Sequence, residues 1–87
     1  MGAEEFDGVI EASSADEAVR KYKTIAPMAT YDMQCYCIMD AVVHPEVFED
    51  ASSAQEFLRG RIRKWDMKAG IVRCGDNRFA WRVLMPC

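Results

Sequence analysis

The chain has 87 residues, 51% of them apolar and 29% charged, values of an ordinary globular domain that exclude an extended disordered chain. A single domain over residues 1–87 is all this length supports, because a second would leave neither half a usable core. The net charge of −3 hides an asymmetry: residues 1–50 carry eleven Asp/Glu against three Lys/Arg and residues 51–87 three against eight, so −8 faces +5.

The first alternating segment is Glu5 to Ala12, with Phe6, Gly8, Ile10 and Ala12 on one side and Glu5, Asp7, Val9 and Glu11 on the other. Successive strand side chains point to opposite faces, so this is a strand with one wet face. Ser13-Ser14 stops it. Ser14 and Glu17 have the spacing of a capping box that opens a helix. Apolar or small residues at Ala15, Ala18, Val19, Tyr22, Ile25 and Ala26 give that helix one dry stripe, and Pro27 is expected to end it.

Tyr31 to Val43 (YDMQCYCIMDAVV) reads as the central strand. Tyr31, Met33, Cys35, Cys37, Met39, Ala41 and Val43 form its dry side, and no Gly or Pro interrupts it. His44-Pro45 then reads as a turn, with Glu46 to Asp50 as one helical turn behind Pro45. A second capping box, Ser53 to Glu56, opens a helix whose apolar side is Ala54, Phe57, Leu58, Ile62 and Trp65. Gly60 within that helix is unfavourable unless it lets a strand come close.

The remainder predicts a hairpin. A loop of Gly75-Asp76-Asn77 places Ile71 opposite Trp81 and Ala69 opposite Val83, so the apolar sets share a face, and Asn77 suits the left-handed position such a loop needs. Ala12 to Arg20 (ASSADEAVR) also parallels Ala51 to Arg59 (ASSAQEFLR). Duplication of a strand–helix unit explains this, and so does a shared helix-start pattern. Together the elements predict an α+β fold in the order β-α-β-α-β-β. It is a two-layer sandwich: a four-stranded mixed sheet ending in the hairpin, with two helices on its one apolar face.

Candidate chemistry is sparse. The four cysteines lack framework or zinc-ribbon spacing, and Cys35 and Cys37 sit on a strand face where thiols pack as small hydrophobes. A reducing cytoplasm is the expected setting, with no disulfide, metal or cofactor. His44 has no evident nucleophile or orienting acid, and no phosphate-binding glycine loop or nucleophile elbow is present, so no enzyme is expected. No apolar run is long enough for a bilayer, and the opening MGAEEFDG is acidic where a signal peptide is basic.

The one constellation left is basic: Arg59, Arg61, Arg63 and Lys64 on the second helix, and Lys68, Arg73, Arg78 and Arg82 along the hairpin. Arg78 and Arg82 fall on the expected wet sheet face, where Tyr36 emerges as well. Such a face suits stacked bases, an acidic protein surface, or solvent alone. A charge-split chain points to a protein partner, with a small nucleic-acid-binding domain as the alternative.

The run Val9-Ile10-Glu11-Ala12-Ser13 leading into Ala15-Asp16-Glu17-Ala18 resembles the strand-then-helix opening of small phage-encoded inhibitors of the anti-CRISPR kind. The likeness covers residues 9–18 and carries over no site residue. It implies a cytoplasmic, non-catalytic inhibitor that blocks a nucleic-acid-binding surface of a host complex.

Overall fold

A computed structural model describes residues 3–30, 41–62 and 68–86. The elements are β1 (Ala3–Glu11), α1 (Ala15–Thr30), β2 (Ala41–Val47), α2 (Ala51–Arg61), β3 (Ala69–Arg73) and β4 (Arg78–Pro86). The fold is α+β in the expected order, and its four strands form one mixed sheet arranged β1-β4-β3-β2. β4 is antiparallel to both of its neighbours, while β2 runs parallel to β3. It follows that β1, β2 and β3 share one direction.

The layering differs from expectation. α1 packs Ala18 and Tyr22 into a core with Ile10, Ile71, Phe79, Trp81 and Val83. α2 packs Ala54 and Leu58 into a second core with Val72, Cys74 and Ala80. Ile71 and Val72 are successive residues of one strand, and so are Phe79 and Ala80, so the two cores lie on opposite faces of the sheet. The cause is topological. The chain crosses from β1 to the far edge at β2, then steps back to β3. Right-handed crossovers taken in opposite directions put their helices on opposite faces.

The hairpin has the expected register. Ile71 faces Trp81 and Arg73 faces Phe79. The Cys74 amide donates to the Arg78 carbonyl at 2.9 Å, and Asn77 adopts φ 57°. β1 then pairs with the other side of β4, with Gly8 opposite Trp81. A Cβ on Gly8 would lie 2.9 Å from Trp81 Nε1, so the glycine admits the indole.

Other boundaries are corrected. Of the Tyr31–Val43 strand, residues 31–40 lie outside the described residues. Its end is β2, an edge strand rather than the centre, and the centre is β3 and β4. β2 continues through His44-Pro45 to Val47, where a turn and a helical turn were expected. Proline is tolerated on a sheet edge, and the pairing shifts register between Val43 and Val47, across Pro45. α1 passes Pro27 and runs to Thr30, although proline there forgoes the bond to the residue 23 carbonyl.

Both helix starts use side-chain caps. Ser14 Oγ accepts from the Glu17 amide at 3.2 Å, and Glu17 Oε1 accepts from the Ser13 amide at 2.7 Å. α2 begins earlier than the Ser53–Glu56 spacing implied, because Asp50 Oδ1 accepts from the Ser53 amide at 2.7 Å. A carboxylate is the stronger acceptor at the positive end of a helix. The repeated ASSA segments therefore play different parts: Ser14 caps α1, whereas Ala51 is already the first residue of α2.

These backbone bonds hold the Glu17 and Asp50 carboxyls below the ordinary carboxylate range. A folded-state pKa below the unfolded one contributes stability that is fully present above the unfolded value, about pH 4, and is lost as pH falls through the folded value. The thermal midpoint should therefore drop below about pH 4. The Asp50→Asn variant, which keeps a cap but cannot titrate, should show a shallower acid limb in a melting series. An unchanged limb would show that Asp50 plays no part.

Gly60 does not serve a close strand approach: a Cβ there meets nothing within 4 Å among the described residues. Gly60→Ala is expected to stabilise the chain by about 0.5–1 kcal/mol, raising the melting midpoint by a few degrees in calorimetry. Close approach occurs at Gly8 and at Gly70, where an added Cβ would come within 2.9 Å of Leu58 Cδ2 and 3.4 Å of His44 Nε2.

Candidate functional site

The basic residues do not form one patch. Arg82 was expected on a wet face, but it is 4% exposed. Its Nη2 lies 2.9 Å from Glu5 Oε2 and its Nη1 3.1 Å from Asp7 Oδ2, with Gln55 Oε1 3.4 Å from Nη1. Gln55 Nε2 in turn donates to the Gly8 and Trp81 carbonyls. The hub joins β1, β4 and α2. It also neutralises part of the charge split inside the molecule, by pairing the acidic first strand with the basic last one. Because α2 covers this face, the open Arg-lined platform expected for stacked bases is absent among the described residues.

Four of the other basic residues lie at the two ends of β3. At its C-terminal end, Arg73 lies with its guanidinium carbon 4.7 Å from the centroid of the Phe79 ring, a cation–π contact, and Arg78 is exposed beside the hairpin loop. At its N-terminal end, Arg61 and Lys68 are exposed and share the lining of a cavity. Arg59 is exposed on α2, while Arg63, Lys64 and Tyr36 lie outside the described residues.

That cavity is the candidate site. It measures about 220 Å³ and is lined by Val42 and His44 of β2, Arg61 and Ile62 at the end of α2, and Lys68, Ala69 and Gly70 entering β3. The parallel β2–β3 pairing sets Val42 beside Gly70, and glycine there leaves room for His44. The Phe57 ring arranges two of the walls. His44 meets it edge-on with centroids 5.6 Å apart, and the Arg61 guanidinium carbon sits 4.8 Å from its centroid. No carboxylate among the described residues lines the cavity. Among the described residues, neither Arg61 nor Lys68 makes an ion pair.

The lining is two cations and an imidazole over an apolar floor, in a volume below that of pockets for drug-sized molecules. One anionic side chain fits this chemistry and size. In the sequence Arg61 and Lys68 stand out as basic residues, whereas His44 reads as a turn residue, Ile62 as part of the second helix's apolar side, and Val42 and Gly70 carry no signal of a site. Their approach depends on a strand crossing that no local pattern displays.

Tyr22 and Cys74 are packing groups. Burial pushes the Tyr22 hydroxyl and the Cys74 thiol up from their ordinary values, and a thiol so raised is a poor nucleophile. Cys74 is free and buried; Cys35, Cys37 and Cys87 lie outside the described residues. Among the described residues no three His, Cys, Asp or Glu side chains could hold one metal ion, and no helix is long and apolar enough to cross a membrane. Comparison with protein-family models, with curated proteins and with solved structures gives no match for this chain.

Proposed function

We propose that this chain is a non-catalytic protein-binding module, and that its contact surface is the β2 side of the sheet with the cations of the α2–β3 junction. The observation that carries the reading is the cavity: side-chain-sized, cationic, without a carboxylate among the described residues, and beside an edge strand. Val42, Val43 and Val47 of that strand are exposed apolar residues, the mixture of apolar and Arg groups that protein interfaces favour. In its specific form the module is a phage-encoded inhibitor of the anti-CRISPR kind, occupying a nucleic-acid-binding surface of a host complex. The charge-split sequence and the resemblance over residues 9–18 support that form.

The nucleic-acid alternative loses support because Arg82 is internally paired and α2 closes the sheet face it needed. Two measurements decide between them. The tagged chain should retain a protein from a host lysate, and it should show no salt-sensitive binding to single-stranded or duplex oligonucleotides. Micromolar oligonucleotide binding at physiological salt, with no retained protein, would reverse the conclusion. The inhibitor form is tested by co-expressing the chain with an active CRISPR system: unimpaired interference rejects it.

A further inference from the structure

We propose that the partner supplies an extended acidic segment, which adds as a fifth strand along the outer side of β2 and places one carboxylate in the cavity between Arg61 and Lys68. This deepens the protein-binding reading and rests on it.

Three observations converge. β2 ends the sheet, so among the described residues nothing pairs with its outer side. An edge of this kind is a template for a further strand. The usable part is short, because Pro45 has no N–H and the register shifts beyond Val43; an added strand is confined to Ala41–His44. Those same residues border the cavity, since Val42 and His44 line it. Backbone pairing and side-chain capture therefore occur at one place.

Charge selects the occupant. The two cations over Val42, Ile62 and Gly70 favour a carboxylate on a short apolar stem, which a glutamate or aspartate provides. A second copy joining through its own Ala41–His44 would bring its Arg61 and Lys68 to the same face, and that segment carries no acid, so like charges oppose it. A nucleotide's phosphate could meet the two cations, but a nucleotide has no backbone N–H and C=O groups to pair with the β2 edge. The acidic strand of another protein meets both requirements.

The test titrates the full chain with a short capped peptide of alternating valine and glutamate, followed by amide NMR. The expected result is saturable shifts at Val42, Val43, His44, Lys68 and Gly70. The lysine-for-glutamate peptide should not bind. An N-methylated valine–glutamate peptide, which keeps the charge but loses backbone donors, should bind at least tenfold more weakly. The Arg61→Glu/Lys68→Glu variant should weaken binding about tenfold or more, a loss of about 1.4 kcal/mol, whereas Arg20→Glu on α1 should not.

Absence of saturable shifts overturns the proposal. So do equal shifts with acetate alone, which would reduce the cavity to an anion site, or self-association of the free chain through β2. A lysate partner held equally well by wild type and by Arg61→Glu/Lys68→Glu would sink this proposal while leaving the protein-binding reading in place. A chain that retains no partner and binds no peptide fails both.

Discussion

Truncating Trp81 to alanine should cost the fold about 3–5 kcal/mol. Domains of this length hold roughly 5–10 kcal/mol in all, so the variant should be largely destabilised and melt far below the wild type. The magnitude follows from where the indole sits. It is 7% exposed and lies in the α1-side core with Ile10, Tyr22, Ile71, Phe79 and Val83. The Tyr22 ring meets it at 5.4 Å with an interplanar angle of 60°, and the backbone of Gly8 lies against its edge. Removing it opens one void shared by β1, β4 and α1. Urea unfolding followed by circular dichroism gives the number. A companion variant checks the mechanism: Gly8→Ala should be costly alone, because its Cβ collides with the indole, and nearly neutral when Trp81 is alanine. Simple additivity of the two changes would refute the contact.

The second large effect concerns the Arg82 hub. Converting Glu5 and Asp7 together to Gln and Asn leaves the shape almost unchanged but strands a buried guanidinium without a counter-ion. Breaking a buried pair from one side costs about 3–5 kcal/mol. Both carboxylates are about half exposed, so about 2–3 kcal/mol is expected here, water making up part of the loss. Arg82→Met, which removes the charge and keeps the stem's packing, should cost less than the double carboxylate change. If instead the methionine variant is the weaker, the arginine is held by its stem and by Gln55 rather than by its charge partners. Equilibrium denaturation of the three proteins at one pH and salt distinguishes these outcomes.

Local signals in the sequence were reliable where a few neighbouring residues decide the geometry. Asn77 had to take the left-handed position, and only one loop length set Ile71 against Trp81, so the hairpin register was legible. Ser14 and Glu17 marked the start of α1 for the same reason. The layering was not legible, because Val72, Cys74 and Ala80 share the strand face of Arg78 and Arg82, and those charges read as facing solvent. Short central strands buried on both sides read as nearly unbroken apolar runs, and Phe79-Ala80-Trp81 is one. Arg82 interrupts that run and imitates solvent exposure. Its burial becomes intelligible only with β1 laid beside β4, which sets Asp7 directly opposite it. The cavity was the least accessible feature. Arg61 and Lys68 are near in sequence, but Val42 and His44 arrive from an edge strand that the pattern had placed at the centre.

The sheet order has a consequence for how this protein is made. Among the described elements β1 comes first in the chain, yet its neighbour in the sheet is β4, which comes last; Asp7 waits for Arg82 across a separation of 75 residues. At about 5–20 residues per second, that interval is roughly 4–15 s. Throughout it the segment that becomes β1 carries Phe6, Val9 and Ile10 before its partner β4 exists. Glu5, Asp7 and Glu11 punctuate those apolar residues with like charges, the arrangement that keeps a nascent strand from joining its copies on neighbouring ribosomes. The acidity of the N-terminal strand thus acts twice: as a guard before β4 exists, and as the anchor for Arg82 once it does.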